Sequence, residues 1–169
     1  MNFHKNISRI WFISAAAVIL GGWGTAPPDQ LGPRSWGGLE VTSRLSRGQA
    51  DDINIYAVGL VGTPYHFGGN TQESGFDCSG LIGHVYQTRA GVAPPRTVSR
   101  LQGWGQPVSR KQVRSGDLVL FAQIDEATHA GIYLGGDRFV HAPSTGGEVR
   151  LDSLNSKYWS AQQVAFRRP

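Results

Sequence analysis

The chain has 169 residues, enough for one ordinary domain and too few for two sizeable ones. With 40% hydrophobic residues, 17% charged residues and 23 glycines, it has the composition of a globular, turn-rich protein, which excludes a largely disordered chain. The net charge of +4 favours polyanionic partners, but the basic residues are scattered and no nucleic-acid-binding motif occurs, so we expect no nucleic acid partner.

The amino-terminal residues predict export. His4, Lys5 and Arg9 form a short positive region, and an apolar run follows over 10–20. A helix needs about 20 apolar residues to span a bilayer, whereas this run has the length of a signal-peptide core. We therefore interpret residues 1–26 as a signal peptide or an uncleaved anchor, and we expect the protein in the periplasm, at the cell wall or outside the cell.

Residues 27–48 are rich in Pro, Gly and Ser without a sustained period, which predicts a linker before a folded domain over 49–169. Cys78 is the single cysteine, so the chain can form no internal disulfide and the domain must depend on its core. We expect a monomer. For a basic, exported protein the further candidate partners are anionic wall polymers or a membrane surface.

Two helices are predicted in the first half of the domain. Apolar residues recur at helical spacing over 50–61, and Gly62 ends the pattern. A second helix should begin at residue 77 or 78 and end at Gly91. The residues of this second helix that should face the core are Leu81, Ile82, Val85 and Tyr86.

Short segments that are apolar or alternate in polarity follow, and Gly, Asp or Ser clusters separate them. They predict strands of an antiparallel sheet over 118–121, 130–134, 138–142, 149–151 and 164–167. Helices that come first and strands that come afterwards indicate an α+β domain, with the helices packed on one face of the sheet.

Cys78 is the candidate nucleophile. At the start of a helix, unpaired backbone amides and a partial positive charge favour a thiolate over a thiol, and a nearby imidazolium would stabilise it further. Gly80 keeps the first turn small, which would let a substrate approach. The alternative is a packed and inert cysteine.

His129 and His141 begin and end two predicted strands that Gly135–Asp137 connects. With these three residues as the loop, Leu134 faces Arg138 and both imidazoles project from one face of the sheet. A loop of two residues would put them on opposite faces. The three-residue loop is the prediction.

Together these residues predict a Cys–His–His relay, in which His129 acts as base toward Cys78 and His141 orients His129. One alternative is two histidines with unrelated hydrogen bonds. Another is a zinc site, but the spacing matches no compact zinc motif and no fourth ligand is evident. We expect neither a metal nor another cofactor.

Six short segments of the domain carry motifs, and they are 63–69 (TPYHFGG), 76–82 (FDCSGLI), 93–97 (APPRT), 115–121 (SGDLVLF), 129–135 (HAGIYLG) and 138–142 (RFVHA). In order and spacing they resemble the NlpC-type cell-wall peptidases, a branch of the papain-like superfamily. The resemblance covers nearly everything from about Ala50 to Arg168. The cysteine motif and the first histidine motif are together specific.

The resemblance implies a papain-like fold and an endopeptidase that cuts peptidoglycan stem peptides between D-glutamate and a diamino acid such as meso-diaminopimelate. It implies that Cys78 attacks the carbonyl to give a thioester, that His129 takes and returns the proton, and that His141 holds the imidazole. Tyr65 matches the family tyrosine whose hydroxyl lies near the oxyanion site. The alternative for Tyr65 is a core tyrosine with a satisfied hydroxyl.

The resemblance also bears on Asp77, Ser79 and Arg96. In some relatives the residues that match Asp77 and Ser79 contact the L-alanine of the substrate, but both could equally cap the helix of the nucleophile. Arg96 could pair with a substrate carboxylate or fix its own loop. Phe67 stands where the family often carries Trp or another large aromatic residue.

Other functions remain compatible with the sequence. They are an amidase that cuts the glycan–L-alanine link, another acyl-transfer enzyme on the same fold, and a toxin delivered to competing cells. A non-catalytic wall-binding module is a further alternative, and the joint presence of Cys78, His129 and His141 argues against it.

Overall fold

The structure is a computed structural model, and it describes residues 44–123, 126–144 and 147–169. The predicted signal peptide or anchor over 1–26 and most of the predicted linker over 27–48 lie outside the described residues. Within the described ranges, no helix combines the length and apolar character that a membrane crossing requires.

Helices and a small hairpin make up the first half of the domain. Helix α1 spans Arg47–Gly59, α2 spans Cys78–Ala90 and the short α3 spans Val98–Leu101. Strands β1 (Asn70–Thr71) and β2 (Gly75–Phe76) pair antiparallel between α1 and α2 in the chain. These two strands are too short to show a period of two, which is why the sequence pattern did not predict them.

Helix α1 begins three residues before the predicted start at residue 50. Ser46 caps it, because its hydroxyl accepts from the amide of Gln49 at 3.2 Å while the Gln49 side chain accepts from the amide of Ser46 at 3.0 Å. This reciprocal pair is the capping box, and Ser46 and Gln49 have the spacing that the motif requires. Leu45 is buried in the core, so the last residues of the predicted linker belong to the folded domain.

Helix α2 begins and ends as predicted. Asp77 caps its first turn, and Gly91 ends it in the left-handed conformation with φ 65°. The four side chains expected to face the core are all fully buried: Leu81, Ile82, Val85 and Tyr86. The helix that carries the candidate nucleophile is thereby packed along its length.

The second half of the domain is an antiparallel sheet. Its strands are β3 (Gln106–Val108), β4 (Leu118–Gln123), β5 (Glu126–Gly135), β6 (Arg138–His141), β7 (Arg150–Ser153) and β8 (Gln163–Arg168). They are ordered β3-β8-β4-β5-β6-β7, and every neighbouring pair is antiparallel. The predicted α+β class is confirmed. Strand β3 was not predicted, since three residues show no clear alternation.

The sheet buries side chains on both faces. The face toward the helices carries an apolar core to which the sheet contributes Leu118, Leu120, Ala130, Ile132 and Val140. The opposite face carries a second cluster that includes Val119, Phe121, Tyr133, Phe139 and Phe166. The 3₁₀ turn Trp159–Ala161 covers this second face with the ring of Trp159.

The turn between β5 and β6 differs from the prediction. Arg138 pairs with Gly135 rather than with Leu134, so the loop has two residues, Gly136 and Asp137, both with φ 57°. This is the positive-φ geometry of tight hairpins. The register then shifts by one residue between Tyr133 and Gly135, which places Leu134 in a bulge. The bulge supplies the extra residue that the predicted three-residue loop would have supplied, so the strands keep the predicted facing.

Candidate active site

Cys78 is the first residue of α2 and is half-buried. Burial raises the pKa of its thiol, and the negative charge of Asp77 raises it further. The backbone amides of Ser79, Ala130 and Cys78 itself act in the opposite direction. The stabilisation of the thiolate expected from the helix N-terminus is therefore outweighed, and the neutral thiol is favoured at neutral pH. The amide of Ala130 that acts on the sulfur belongs to the residue directly after His129.

The first turn of α2 is tied to the loop that precedes it. Gly80 lies so close to Gly69 that a β-carbon on Gly80 would overlap the Gly69 carbonyl oxygen and come within 3.1 Å of an Arg96 terminal nitrogen. The space beside Gly80 is thus filled by protein. The expectation that Gly80 leaves room for substrate is wrong, because the glycine serves helix–loop packing instead.

Asp77 and Ser79 hold this junction together. An Asp77 carboxylate oxygen accepts from the amide of Gly80 at 2.6 Å and from the Ser79 hydroxyl at 3.0 Å. Its other oxygen accepts from the amide of Gly68 at 3.0 Å. Burial raises the pKa of Asp77, but the hydrogen bonds from Arg96, Gly80 and Ser79 outweigh it and hold the pKa below its ordinary value. These contacts show Asp77 in the capping role that the sequence left open, and the Ser79 hydroxyl supports this cap by donating to Asp77.

Arg96 binds protein groups with both terminal nitrogens. Nη1 donates to Asp77 at 3.0 Å and to the Ser79 hydroxyl at 2.8 Å. Nη2 donates to the carbonyl oxygens of Gly68 and Gly69 at 3.0 and 3.2 Å. Of its two candidate roles, these contacts favour fixation of the loop, since a substrate carboxylate would have to displace existing hydrogen bonds.

His129 and His141 are brought into direct contact. His129 Nε2 and His141 Nδ1 are 2.7 Å apart, and the rings meet nearly edge to face with centroids 5.0 Å apart. Gly131 makes this possible, because a β-carbon there would come within 2.8 Å of the Phe139 ring and 3.2 Å of the His141 β-carbon. The predicted placement of both imidazoles on one face is confirmed. Because Nε2 of His129 is occupied, Nδ1 is the nitrogen left for a substrate or thiol proton.

Both imidazoles are neutral at neutral pH. Burial lowers the pKa of His129 to about 3, and His141 and Arg150 lower it as well against the opposing charge of Asp152. Burial also lowers the pKa of His141 to about 4, although Asp152 acts to raise it. A neutral imidazole can accept a proton, so His129 has the protonation state that a general base requires.

Asp152 is a site residue that the sequence analysis missed. One of its oxygens lies 3.0 Å from His141 Nε2 and also accepts from Arg150 and from the indole nitrogen of Trp159. Asp152 follows the predicted strand 149–151, and the long connection from β6 to β7 leaves their register undetermined by local rules. A local sequence signal that would pair Asp152 with His141 is therefore lacking.

The Tyr65 backbone lies beside the segment that leads into α2, where it pairs with Phe76. Its amide donates to the carbonyl of Gly147 at 2.6 Å. Burial raises the pKa of the Tyr65 hydroxyl, and the negative charges of Cys78 and Asp77 raise it further. A phenol that reaches the thiol could donate a hydrogen bond to an oxyanion formed there.

A cavity of about 330 Å³ adjoins His129 on the sheet side of the site. Among its described lining residues, Arg150 carries a positive charge and none carries a negative one. Thr128 and Gln162 contribute polar groups, and Tyr158 and Trp159 contribute aromatic rings. The cavity therefore offers a polar and aromatic lining next to the imidazole, while the charge of Arg150 is already paired with Asp152 at 2.9 Å. In the described ranges, no cluster of three or more His, Cys, Asp or Glu side chains could hold a metal ion.

Comparison with known proteins identifies the family of the chain. A model of the NlpC/P60 family matches residues 62–168. The chain belongs to the NlpC/P60 family. The resemblance drawn from the motifs around Cys78, His129 and His141 is thereby confirmed.

Two curated relatives show how far the NlpC/P60 match extends. The chain is 38% identical over 130 residues to the murein DD-endopeptidase MepS/murein LD-carboxypeptidase of Escherichia coli (strain K12), covering 77% of this chain and 64% of that protein. It is 37% identical over 110 residues to the gamma-DL-glutamyl hydrolase of Bacillus subtilis (strain 168), covering 64% of this chain and 26% of that protein. The chain thus spans less than two thirds of the length of either relative.

Solved NlpC/P60 structures share the fold. The crystal structure of the NlpC/p60 domain of the peptidoglycan hydrolase SagA superposes with a TM-score of 0.61 at 32% sequence identity, covering 69% of this chain and 96% of that one. The predicted fold class, an α+β papain-like domain with the candidate nucleophile at a helix N-terminus, is confirmed.

Proposed function

We propose that this protein is a peptidoglycan endopeptidase of the cysteine type. The observation that carries the proposal is the 2.7 Å contact between His129 and His141, next to the strand residue whose amide acts on the Cys78 sulfur. A neutral base, an ionisable thiol and a second ring that holds the base are the parts that nucleophilic acyl chemistry needs. The E. coli relative supplies the substrate class, since its name describes an endopeptidase of murein.

The reaction begins with proton transfer from the Cys78 thiol to Nδ1 of His129 as the sulfur attacks the carbonyl carbon of the scissile amide. The tetrahedral intermediate collapses when the carbon–nitrogen bond breaks and His129 gives its proton to the leaving amine. This leaves a thioester on Cys78. A water molecule then attacks the thioester and gives its proton to His129, the carbon–sulfur bond breaks, and the proton returns to the sulfur.

The developing oxyanion has two candidate donors. The amide of Cys78 lies in the unpaired first turn of α2, and the negative charge of Cys78 raises the pKa of the Tyr65 hydroxyl. Removal of one oxyanion donor typically costs about 10²–10³ in kcat. We therefore expect Tyr65→Phe to lower kcat within that range and to change KM little, which steady-state kinetics on a purified stem peptide would measure.

The proposed bond is the one between D-glutamate and a diamino acid such as meso-diaminopimelate. His129 must reach the leaving amine, so the residue that carries this amine lies on the His129 side, where the cavity with Arg150 is found. Arg150 donates Nε and Nη2 to Asp152, so a free carboxylate on the leaving residue would be bound by its Nη1. The B. subtilis relative, a gamma-DL-glutamyl hydrolase, supports this bond, whereas the name of the E. coli relative supports a D,D cut.

The test is digestion of purified wall by the wild type and by Cys78→Ala, followed by mass spectrometry of the fragments. Fragments that end in D-glutamate support the proposed bond, and opened cross-links with an intact D-glutamyl link favour the D,D alternative. Glycan strands freed of whole stems would identify an amidase instead. Lysis by Cys78→Ala would refute the cysteine mechanism, and no digestion by either protein would support a wall-binding module.

A matched pair of substrates tests the Arg150 side of the proposal. One stem peptide carries a free carboxylate on the diamino acid, and its control carries the corresponding amide. A charge-assisted hydrogen bond contributes about 1.5–3 kcal/mol, so the amidated peptide should show a KM roughly tenfold higher or more. Equal KM values would remove the carboxylate from the proposed recognition.

Export is part of the proposed function, because peptidoglycan lies outside the cytoplasmic membrane. The positive region and apolar run over 1–20 support it. We expect the full chain in the exported fraction of cells and a variant that lacks residues 1–26 in the cytoplasm. Cell fractionation with an antibody to the domain would measure both, and cytoplasmic full-length protein would contradict the proposal.

A further inference from the structure

We infer that Asp152 is a positioning residue that sets the tautomers of both imidazoles and so keeps Nδ1 of His129 free to accept the thiol proton. The inference rests on the proposed function for its catalytic consequence. Its structural part stands on the contacts among Asp152, His141 and His129.

A single carboxylate oxygen of Asp152 is the hydrogen-bond partner of three side chains. Oδ2 lies 3.0 Å from His141 Nε2 and accepts from Trp159 Nε1 at 2.8 Å and from Arg150 Nη2 and Nε at 2.9 and 3.1 Å. Burial raises the pKa of Asp152, but the hydrogen bonds from Trp159 and Arg150 and the nearby His141 outweigh it and lower that pKa. The group is therefore ionised at neutral pH, and an ionised carboxylate can only accept.

The direction of the chain of hydrogen bonds follows from this acceptor. If Asp152 can only accept, then Nε2 of His141 must carry the hydrogen. A neutral imidazole carries one N–H, so Nδ1 of His141 is an acceptor and Nε2 of His129 must donate to it across the 2.7 Å contact. The hydrogen of His129 is then placed on Nε2, and its Nδ1 keeps a lone pair.

The rings that surround this chain hold its geometry. Trp159, which donates to Asp152, also stacks on His129 with centroids 5.6 Å apart and meets His141 edge to face at 5.2 Å. Phe121 stacks on His129 as well, at 6.0 Å. His141 is fully buried, whereas the Asp152 side chain is 22% exposed. One aromatic residue thus orients both the carboxylate and the two imidazoles that depend on it.

The competing interpretation is that Asp152 only anchors Arg150 in a surface ion pair. Asp152→Ala separates the two, because it removes the acceptor that requires hydrogen on Nε2 of His141, so that both imidazoles can also adopt the opposite tautomer. In molecules with the opposite tautomers, His129 carries its hydrogen on Nδ1 and cannot act as base. In serine proteases, replacement of the aspartate that fixes the histidine tautomer lowers kcat about 10⁴-fold, and we expect a loss of about 10²–10⁴-fold here.

The experiment combines kinetics with ¹⁵N NMR of the histidine rings, on the wild type, Asp152→Ala and the control Asp137→Ala. Asp137 lies in the β5–β6 turn, and its carboxylate accepts from Arg110 and Asn155 rather than from a residue of the relay. We expect the wild type and the control to show hydrogen on Nε2 of both rings. Asp152→Ala should show a mixture of hydrogen on Nε2 and on Nδ1 in both rings and should lose kcat with little change in KM.

Each outcome decides one claim. Hydrogen on Nδ1 of His141 in the wild type would overturn the inference by itself, even where Asp152→Ala does not fold. An active wild type and an equally active, folded Asp152→Ala would overturn it as well. Should the wild type fail to hydrolyse any stem peptide, the proposed function falls, while the NMR spectra still test the tautomers. Thermal unfolding of the three proteins separates a loss of kcat from a loss of fold.

Discussion

Alkylation of Cys78 by iodoacetamide should become about tenfold faster with each pH unit from pH 5 to pH 8. Burial and the charge of Asp77 raise the pKa of the thiol, so the reactive thiolate is a minor species throughout this range. Below its pKa, the fraction of a thiolate rises tenfold per pH unit, which gives a gain of about 1,000-fold over these three units. A thiolate–imidazolium pair would instead give a rate that is nearly flat.

The protonation state of His129 also predicts an alkylation rate that rises tenfold per pH unit. The pKa of His129 is lowered to about 3, so its charged form is present only near and below that pH and cannot stabilise a thiolate between pH 5 and pH 8. We therefore expect His129→Ala to keep the tenfold slope. The direction of the effect of Asp77 on the thiol pKa also follows. Asp77→Asn keeps a side-chain oxygen to cap Gly80 but loses a negative charge, so it should lower the thiol pKa and shift the pH dependence of the alkylation rate to lower pH.

The assay follows carbamidomethylated protein by intact mass spectrometry at a series of pH values and constant ionic strength. Asp137→Asn serves as the control, since it removes the same charge at a site remote from the thiol. Its profile should overlay that of the wild type. A plateau in the wild-type rate between pH 5 and pH 8 would refute the neutral resting state and would restore the ion pair that the sequence predicted.

Three substitutions test the scaffold of the site. Ser46→Ala removes the α1 cap and should cost about 1 kcal/mol in urea unfolding with kcat unchanged; a loss of activity at full stability would contradict a purely structural role. Gly131→Ala places a methyl group within 2.8 Å of the Phe139 ring and 3.2 Å of the His141 β-carbon, so it should cost about 1–3 kcal/mol in thermal unfolding and lower kcat as well. Unchanged kcat would show that the relay tolerates displacement of His141. Gly80→Ala overlaps a backbone carbonyl of the neighbouring loop and should yield little folded protein by circular dichroism, whereas a stable, active variant would show that α2 can move away from that loop.

Local patterns were enough for the elements that are determined by their own residues. Helix α2 was predicted with its correct ends because Asp77 caps it, Gly91 stops it and the apolar residues between them recur at helical spacing. Helix α1 begins three residues before the predicted start because Ser46 and Gln49 form a capping box, whereas the prediction rested on the apolar residues alone.

In the β5–β6 hairpin, the prediction of which side chains share a face was correct, although the predicted loop length was wrong. The sequence suggested three loop residues, and the structure has two with a bulge at Leu134. A three-residue loop and a two-residue loop with a bulge both add one residue to the β5 side of the turn. The number of residues between two paired positions decides which side chains lie on the same face, so both arrangements give the same faces. A bulge depends on packing across the sheet, so the residues of the turn do not reveal it.

Sequence alone determined the family, because short motifs with characteristic spacing carry it, and the same motifs predict the nucleophile and the two histidines. Folding brought Asp152, Trp159 and Arg150 to His141, and these residues come from segments whose register no local rule sets. Folding also determined the protonation of the site. The low pKa values of His129 and His141 and the raised pKa of Cys78 come from burial, and burial belongs to the packed domain and not to any one segment.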